Sequence, residues 1–325
     1  MLDPFYPPPP ILVRAIQPIA DLLSLSTLPL HIHEVVIGWI CYHLIYTTIS
    51  PIISTWLFPA IYPHLSARTT ISWNVHVTSF IQSSLITIFA LFVIWSDEER
   101  SEMDWAGRIW GYTGAGGVVQ GFAAGYFLWD LVASTMHLNV LGWGSLAHAV
   151  SALLVTSLGF RPFANYYGLN FILYEISTPF LNIHWFFDKL NLTGSRVQLY
   201  NGIALLTTFF VCRVLWGNYQ SICIYSDVWT ALHTPGFYPQ IVKDNSIFAY
   251  RNIPGSRSNS EYGFGKMGLP MWLVYAYLGS NTILNFLNIY WFAKMIQALR
   301  KRFQHSNLSI KKERNSEVDI GQHVD

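Results

Sequence analysis

Charge is what this chain has least of. Asp, Glu, Lys and Arg make up 11% of its 325 residues, against about 25% in an ordinary soluble domain. A chain so short of charge cannot cover a fold that faces water on all sides. The formal net charge of +1 leaves no basic surplus with which to hold nucleic acid. Cysteine is scarce as well: Cys41, Cys212 and Cys223 are scattered, odd in number and outside any CxxC or Cys/His ligand spacing. Neither a disulfide framework nor a zinc site is indicated, and no metal ligands are assigned. The first ten residues, MLDPFYPPPP, lack the basic segment and apolar core of a secretory signal. No internal repeat is evident.

What the chain has instead is apolar length. Hydrophobic residues make up 52% and aromatics 16%, which predicts an all-α, polytopic transmembrane helical bundle. A span needs about 20 mostly apolar residues at about 1.5 Å rise each, and on that ruler the chain holds about seven. Residues 1–33 read as a Pro-rich segment lying at the membrane interface, where Pro18 and Pro29 interrupt a stretch carrying Arg14 and Asp21. The first span covers 34–58, with Pro51 as its expected kink. The second, Val75–Trp95, is ended by SDEERSEMD, which belongs in water. Further spans are read at Trp110–Ala133, Ser145–Phe160, Ala164–Phe187, Asn201–Ile222 and Leu269–Ile296. Between the last two, Tyr225–Met267 has no apolar run long enough to cross. Residues 303–325 form a soluble tail.

Lys and Arg near span ends give the orientation. Lys294, Arg300, Lys301 and Arg302 follow the last span, with Lys311, Lys312 and Arg314 beyond, so the C-terminus is placed in the cytosol. Arg68, Lys189 and Arg196 fall on the same side, whereas Arg100, Arg108 and Arg161 fall opposite. The sequons at Asn191 and Asn307 are then cytosolic and unmodified.

Ionisable groups inside apolar spans are costly and mark functional sites by default. Asp130 lies about one turn before the third span ends and His148 about one turn after the fourth begins. An antiparallel hairpin turned at His137–Gly144 would hold the two at similar depth. Such a pair serves as a general-base unit or as a structural hydrogen bond, and the sequence leaves both open. Glu175 and Arg213 each lie about twelve residues from the next turn, near mid-membrane, and are predicted to face each other or share one polar cavity. Pro179 cannot donate to the Glu175 carbonyl, so a kink and a free backbone acceptor are expected there. Thr178 and Asn182 continue that face. Gly117, Gly121 and Gly125 form a stripe on which a second helix can pack closely, with Gln120 placed to bond across it. Asn281, Asn285 and Asn288 line one stripe of the last span and are expected to face inward.

At these residues the sequence resembles the TLC-domain family of multi-span membrane proteins. The resemblance runs over residues 71–302 and is carried by SWNVHVTSFIQ, GYFLWD, LAHAVSALLV, NFILYEISTPFLNIHWFF and FLNIYWFAKMI, taken in order. It implies a six-span TLC core preceded by one extra span, residence in the endoplasmic reticulum or another endomembrane, and a role in membrane lipid composition. The chain resembles the TLC-domain-containing branch more than ceramide synthases. Those typically carry adjacent histidines and a His-Asp pair where this chain has Ala147-His148 and Tyr174-Glu175, and Gln82 stands where a histidine is common.

Three readings follow. The first is a lipid-homeostasis protein that binds acyl lipid in a polar cavity formed by Asp130, His148, Glu175, Thr178, Asn182, Arg213, Gln82 and Asn285. The second is an acyltransferase acting on a sphingoid base or phospholipid through His148 and Asp130; only this reading calls for acyl-CoA or a phospholipid as donor, and no other cofactor is implied. The third is a non-catalytic trafficking adaptor or cargo receptor. The expected partners are membrane lipids, with other membrane proteins or a second copy of the chain as candidates.

Overall fold

The computed structural model describes residues 1–234 and 269–321, with side chains as far as Arg300. The polar connection beyond residue 234, and the side chains of the basic tail, lie outside the described residues. Every regular element among the described residues is helical: α1 (Pro10–Leu23), α2 (Leu28–Leu44), α3 (Ser50–Leu57), α4 (Ala67–Ser96), α5 (Glu98–Ser101), α6 (Trp105–Trp110) and α7 (Gly114–Met136). Then come α8 (Leu138–Leu141), α9 (Trp143–Gly159), α10 (Asn165–Ile172), α11 (Thr178–Lys189), α12 (Arg196–Phe209), α13 (Gly217–His233) and α14 (Met271–Gly321). The chain is an all-α membrane bundle. Among the described residues, three continuous helical runs are long and apolar enough to cross: Leu28–Leu57, Ala67–Ser96 and Arg196–His233. Their outward faces are apolar, as at Ile88, Phe92, Ile203 and Ile222, which is how a helix sits against lipid.

The helix starts follow local chemistry. Asp104 accepts from Gly107 N–H at 2.7 Å to open α6, and Thr113 accepts from Gly116 N–H at 3.3 Å to open α7. Ser195 does the same for α12 through Gln198 N–H at 3.2 Å.

Four expectations change in detail. The first spanning run begins at Leu28 rather than Glu34, so α2 draws its first six residues from the segment read as interfacial. It is continuous through Pro51: the missing N–H is absorbed by a π-helical turn, Ile45–Ile49, closed by Ser50 N–H to Ile45 C=O. The acidic stretch after α4 is not wholly in water, because Asp97 and Arg100 are buried. The last helix runs to Gly321, well past the expected end of the span.

The glycine stripe of α7 packs on α2. A Cβ at Gly125 would fall 2.5 Å from the Val35 carbonyl oxygen, and one at Gly121 would fall 3.0 Å from Glu34 Cβ. At Gly117 it would collide with the His31 imidazole. Small residues there bring the two backbones together.

Candidate functional site

The fifth segment changes helix type part-way along. α10 gives way to a 3-10 stretch, Leu173–Ser177, before α11 resumes at Thr178. Pro179 explains the change. With no N–H at residue 179, the Glu175 carbonyl is taken instead by Thr178 N–H, one residue earlier. The free backbone acceptor expected at Glu175 is therefore absent, and the tightened turn redirects the Glu175 and Ser177 side chains.

A second irregularity faces it. Between α12 and α13 lies a π-helical segment, Phe210–Trp216, which carries Arg213. Its guanidinium is buried and bonded on every side. Nε donates to Ser177 Oγ at 2.9 Å, Nη1 to Asn288 Oδ1 at 3.2 Å, and Nη2 to Thr178 Oγ1 at 2.8 Å. Nη2 also lies 3.4 Å from Glu175 Oε1. The aromatic ring of Phe209 stands 5.2 Å from the guanidinium carbon. So the 3-10 stretch, the π segment and α14 meet at one cation, and the pairing of Glu175 with Arg213 is a contact of the structure.

Glu175 and Asn288 of this hub also line a cavity between α7, α9, α10 and α14. Phe127, Ala152, Val155, Leu169, Ile172 and Leu284 give it apolar walls; Gln120, His148, Asn165, Glu175, Asn281 and Asn288 give it polar points. Gln120 does not bond across the glycine stripe to α2; it donates to the Thr156 carbonyl of α9 at 2.8 Å and accepts from the Asn165 amide of α10. Tyr174 OH donates to Asn285 Oδ1 at 3.1 Å, and Asn285 Nδ2 donates to Ser221 Oγ at 2.8 Å. Three buried polar atoms on residues of this lining have no hydrogen-bond partner: His148 Nδ1, Tyr277 OH and Asn288 Nδ2.

The remaining expected site residues are placed differently. Asp130 and His148 do not bond to each other. Ser134 Oγ donates to Asp130 Oδ1 at 3.5 Å, while the His148 ring lies between Phe127 and Trp291 at 6.2 and 5.8 Å. The hairpin does bring α7 and α9 together, but their faces are set by the apolar contact of His148 with Phe127, one turn before Asp130. Asn182 belongs to another cluster, with His76 Nδ1 at 2.7 Å and Ser79 Oγ at 3.2 Å on α4. Gln82 is buried on α4, its Oε1 without a bond. Thr178 and Arg213 lie behind the Glu175 wall.

Sequence reasoning missed a second polar knot at the α6 end of the bundle. Arg108 donates to both oxygens of Asp227, at 2.7 and 2.8 Å, and Tyr167 OH donates to the same carboxylate. The hydrogen-bonded Asp227 holds the Arg108 guanidinium above its ordinary pKa. Nearby, Arg100 donates to the Tyr166 carbonyl at 3.1 Å and to the Asn170 side chain, with its guanidinium 4.1 Å from the Tyr166 ring. Arg100 and Arg108, counted as interface charges when orientation was read, are committed to internal partners. Asp227 lies beyond the sixth span as read at Asn201–Ile222, on the continuation of α13 to His233.

The comparisons with known proteins agree with this architecture. The TLC domain matches residues 72–297. The chain belongs to the TLC-domain family. An uncharacterised TLC domain-containing protein of Schizosaccharomyces pombe is 34% identical over 294 residues, covering 90% of this chain and 87% of the relative. Topoisomerase I damage affected protein 4 of Saccharomyces cerevisiae is 25% identical, covering 83% of this chain and 85% of that protein. The human TLC domain-containing protein 4 is 30% identical over half of this chain and 62% of its own length. The family is membrane-associated and linked to lipid metabolism or homeostasis, and this TLC-domain chain is an integral membrane protein.

Proposed function

We propose that this TLC-domain protein acts in membrane lipid homeostasis by holding an acyl lipid in the cavity between α7, α9, α10 and α14. One observation carries the reading. Within an apolar-walled cavity, His148 Nδ1 and Asn288 Nδ2 are buried without hydrogen-bond partners, and an unpaired buried polar atom costs about 1–3 kcal/mol. An ester or amide of a lipid head supplies partners for both, while the acyl chain lies against Phe127, Val155 and Leu169. Arg213 then serves from behind, neutralising Glu175 at the polar end.

Acyl transfer through His148 has less support, since Asp130 does not orient the imidazole. Residence in the endoplasmic reticulum or another endomembrane, with a cytosolic C-terminus, is part of the same proposal. It rests on the family and on the basic run after Lys294.

Gly168 supplies the test. It lines the cavity on α10, and a Cβ built there meets nothing within 4 Å. Gly168→Leu should fill the space without breaking the helix. Wild type and variant are purified in mild detergent, extracted, and their co-purifying lipids counted by mass spectrometry. The wild type is expected to retain one lipid class near stoichiometric amount and the variant to lose most of it. Equal lipid in both, or none in the wild type, would sink the proposal.

A further inference from the structure

At the start of the first spanning run, His31 and Glu34 stand three residues apart on one face of α2, both at 0% exposure. The chain before α1 passes over them, so that Asp3 completes a group in which the three side chains' ligand atoms lie within 4.8 Å of one another. His31 Nδ1 is 3.4 Å from Glu34 Oε1 and 3.7 Å from Asp3 Oδ2. Donors bound tetrahedrally at about 2.0–2.1 Å from a zinc-sized ion stand about 3.4 Å apart. The two separations from His31 come close to that spacing.

The atoms behind these donors are arranged to match. The far nitrogen of the imidazole, His31 Nε2, is bonded to Tyr112 OH, which with Nε2 protonated leaves Nδ1 with a free lone pair. Phe5 N–H donates to Asp3 Oδ1 at 2.7 Å, fixing that carboxylate and leaving Oδ2 turned to the group. Metal-binding histidines and carboxylates are commonly oriented in this way by their outer atoms. Gly117 and Gly121 of α7 provide the room, since a side chain at either would occupy the space held by His31 and Glu34.

Charge supplies the independent argument. Glu34 is fully buried, and its Oε2 makes no hydrogen bond although His33 Nδ1 lies 2.9 Å away. Among the described residues no Lys or Arg is bonded to Asp3, His31 or Glu34. Glu34 is fully buried and Asp3 partly exposed beside His31, and a carboxylate buried without a counter-charge is expensive. A divalent cation supplies that counter-charge.

We propose that Asp3, His31 and Glu34 form a site for a divalent transition-metal ion of the zinc type, tying the N-terminal segment to the first spanning helix. One imidazole with two carboxylates suits zinc, with manganese or ferrous iron as weaker alternatives. Three protein donors leave a coordination position open to water or to a fourth ligand, for which His33 is the adjacent candidate. Cys-based ligand spacing carries no sign of this group, because Asp3 is far from His31 and Glu34 in sequence and none of the three is cysteine.

The test uses the full chain, purified in detergent without a polyhistidine tag, stripped with chelator and titrated with zinc chloride alone. Bound metal is measured by elemental mass spectrometry after removing excess, and thermal unfolding is followed in parallel. The wild type should take up about one zinc per chain and unfold at a higher temperature when loaded. Asp3→Asn, at a partly exposed position, should stay folded and bind at least about tenfold more weakly. Glu98→Gln, an exposed acid outside the group, should bind as the wild type does. Folded wild-type protein that takes up no zinc, or an Asp3→Asn variant that binds equally well, overturns the site.

Discussion

Two groups of buried charge sit in this bundle and are neutralised differently. At mid-bundle, Glu175 faces Arg213, and the cation's remaining donors are used by Ser177, Thr178 and Asn288. Near the start of the first span, Asp3 and Glu34 flank His31 with no arginine or lysine bonded to them among the described residues. The first group is complete within the chain; the second is completed by an ion. The difference teaches that a carboxylate in an apolar span is uninformative until its counter-charge is found. Where the chain supplies that charge, the carboxylate builds a wall. Where it does not, the group points to something bound.

The comparison can be broken by removing each counter-charge in turn. The largest effect is expected for Arg213→Leu, which strands Glu175 and three further polar groups and should cost about 3–5 kcal/mol. Thermal unfolding in detergent measures it. Adding Glu175→Leu should recover part of the loss, and a double variant no better than the single would mean that the ion pair is not the main contributor. Stripping metal should leave this hub unaffected, so an Arg213→Lys variant that folds should still respond to zinc as the wild type does.

Gly117→Leu attacks the other group through packing. It drives a side chain into His31, with an expected loss of about 1–3 kcal/mol together with the zinc response. A variant that is destabilised but still binds zinc would separate the helix contact from the site. Asp227→Asn tests the knot at the α6 end. Arg108 is 30% exposed there, and solvent screening reduces the contact, so about 1–2 kcal/mol is expected. Gly168→Leu should move stability least and in the opposite direction, a gain of up to about 1 kcal/mol from helix propensity, while removing bound lipid.

Much of the fold was legible because lipid makes backbone satisfaction local: long apolar runs had to be helices. Glu175 and Arg213 were legible as partners for the same reason, since rise per residue converts sequence position into depth. Depth alone did not decide the rest. Asp130 and His148 are expected at similar depth from their spacing, yet it is Phe127, not Asp130, whose ring stands beside the imidazole. Asn182 shares a helix face with Thr178 but is drawn off to His76 on α4. The Glu175 carbonyl, counted as free, is taken by the 3-10 turn that Pro179 itself forces.

By itself, then, the sequence determined the class of fold, the family, the close approach along the Gly117–Gly125 stripe and the mid-membrane ion pair. The family follows from the resemblance of its motifs taken in order; the others follow from apolar length, from spacing along one helix or from the cost of charge in lipid. Only the tertiary structure decided which polar atoms remain unpaired around the cavity. It alone brought Asp3 onto His31 and Glu34, and it turned Arg100 and Arg108 inward. Those outcomes depend on the rotation and offset between helices, which packing of the whole bundle sets and no single segment encodes.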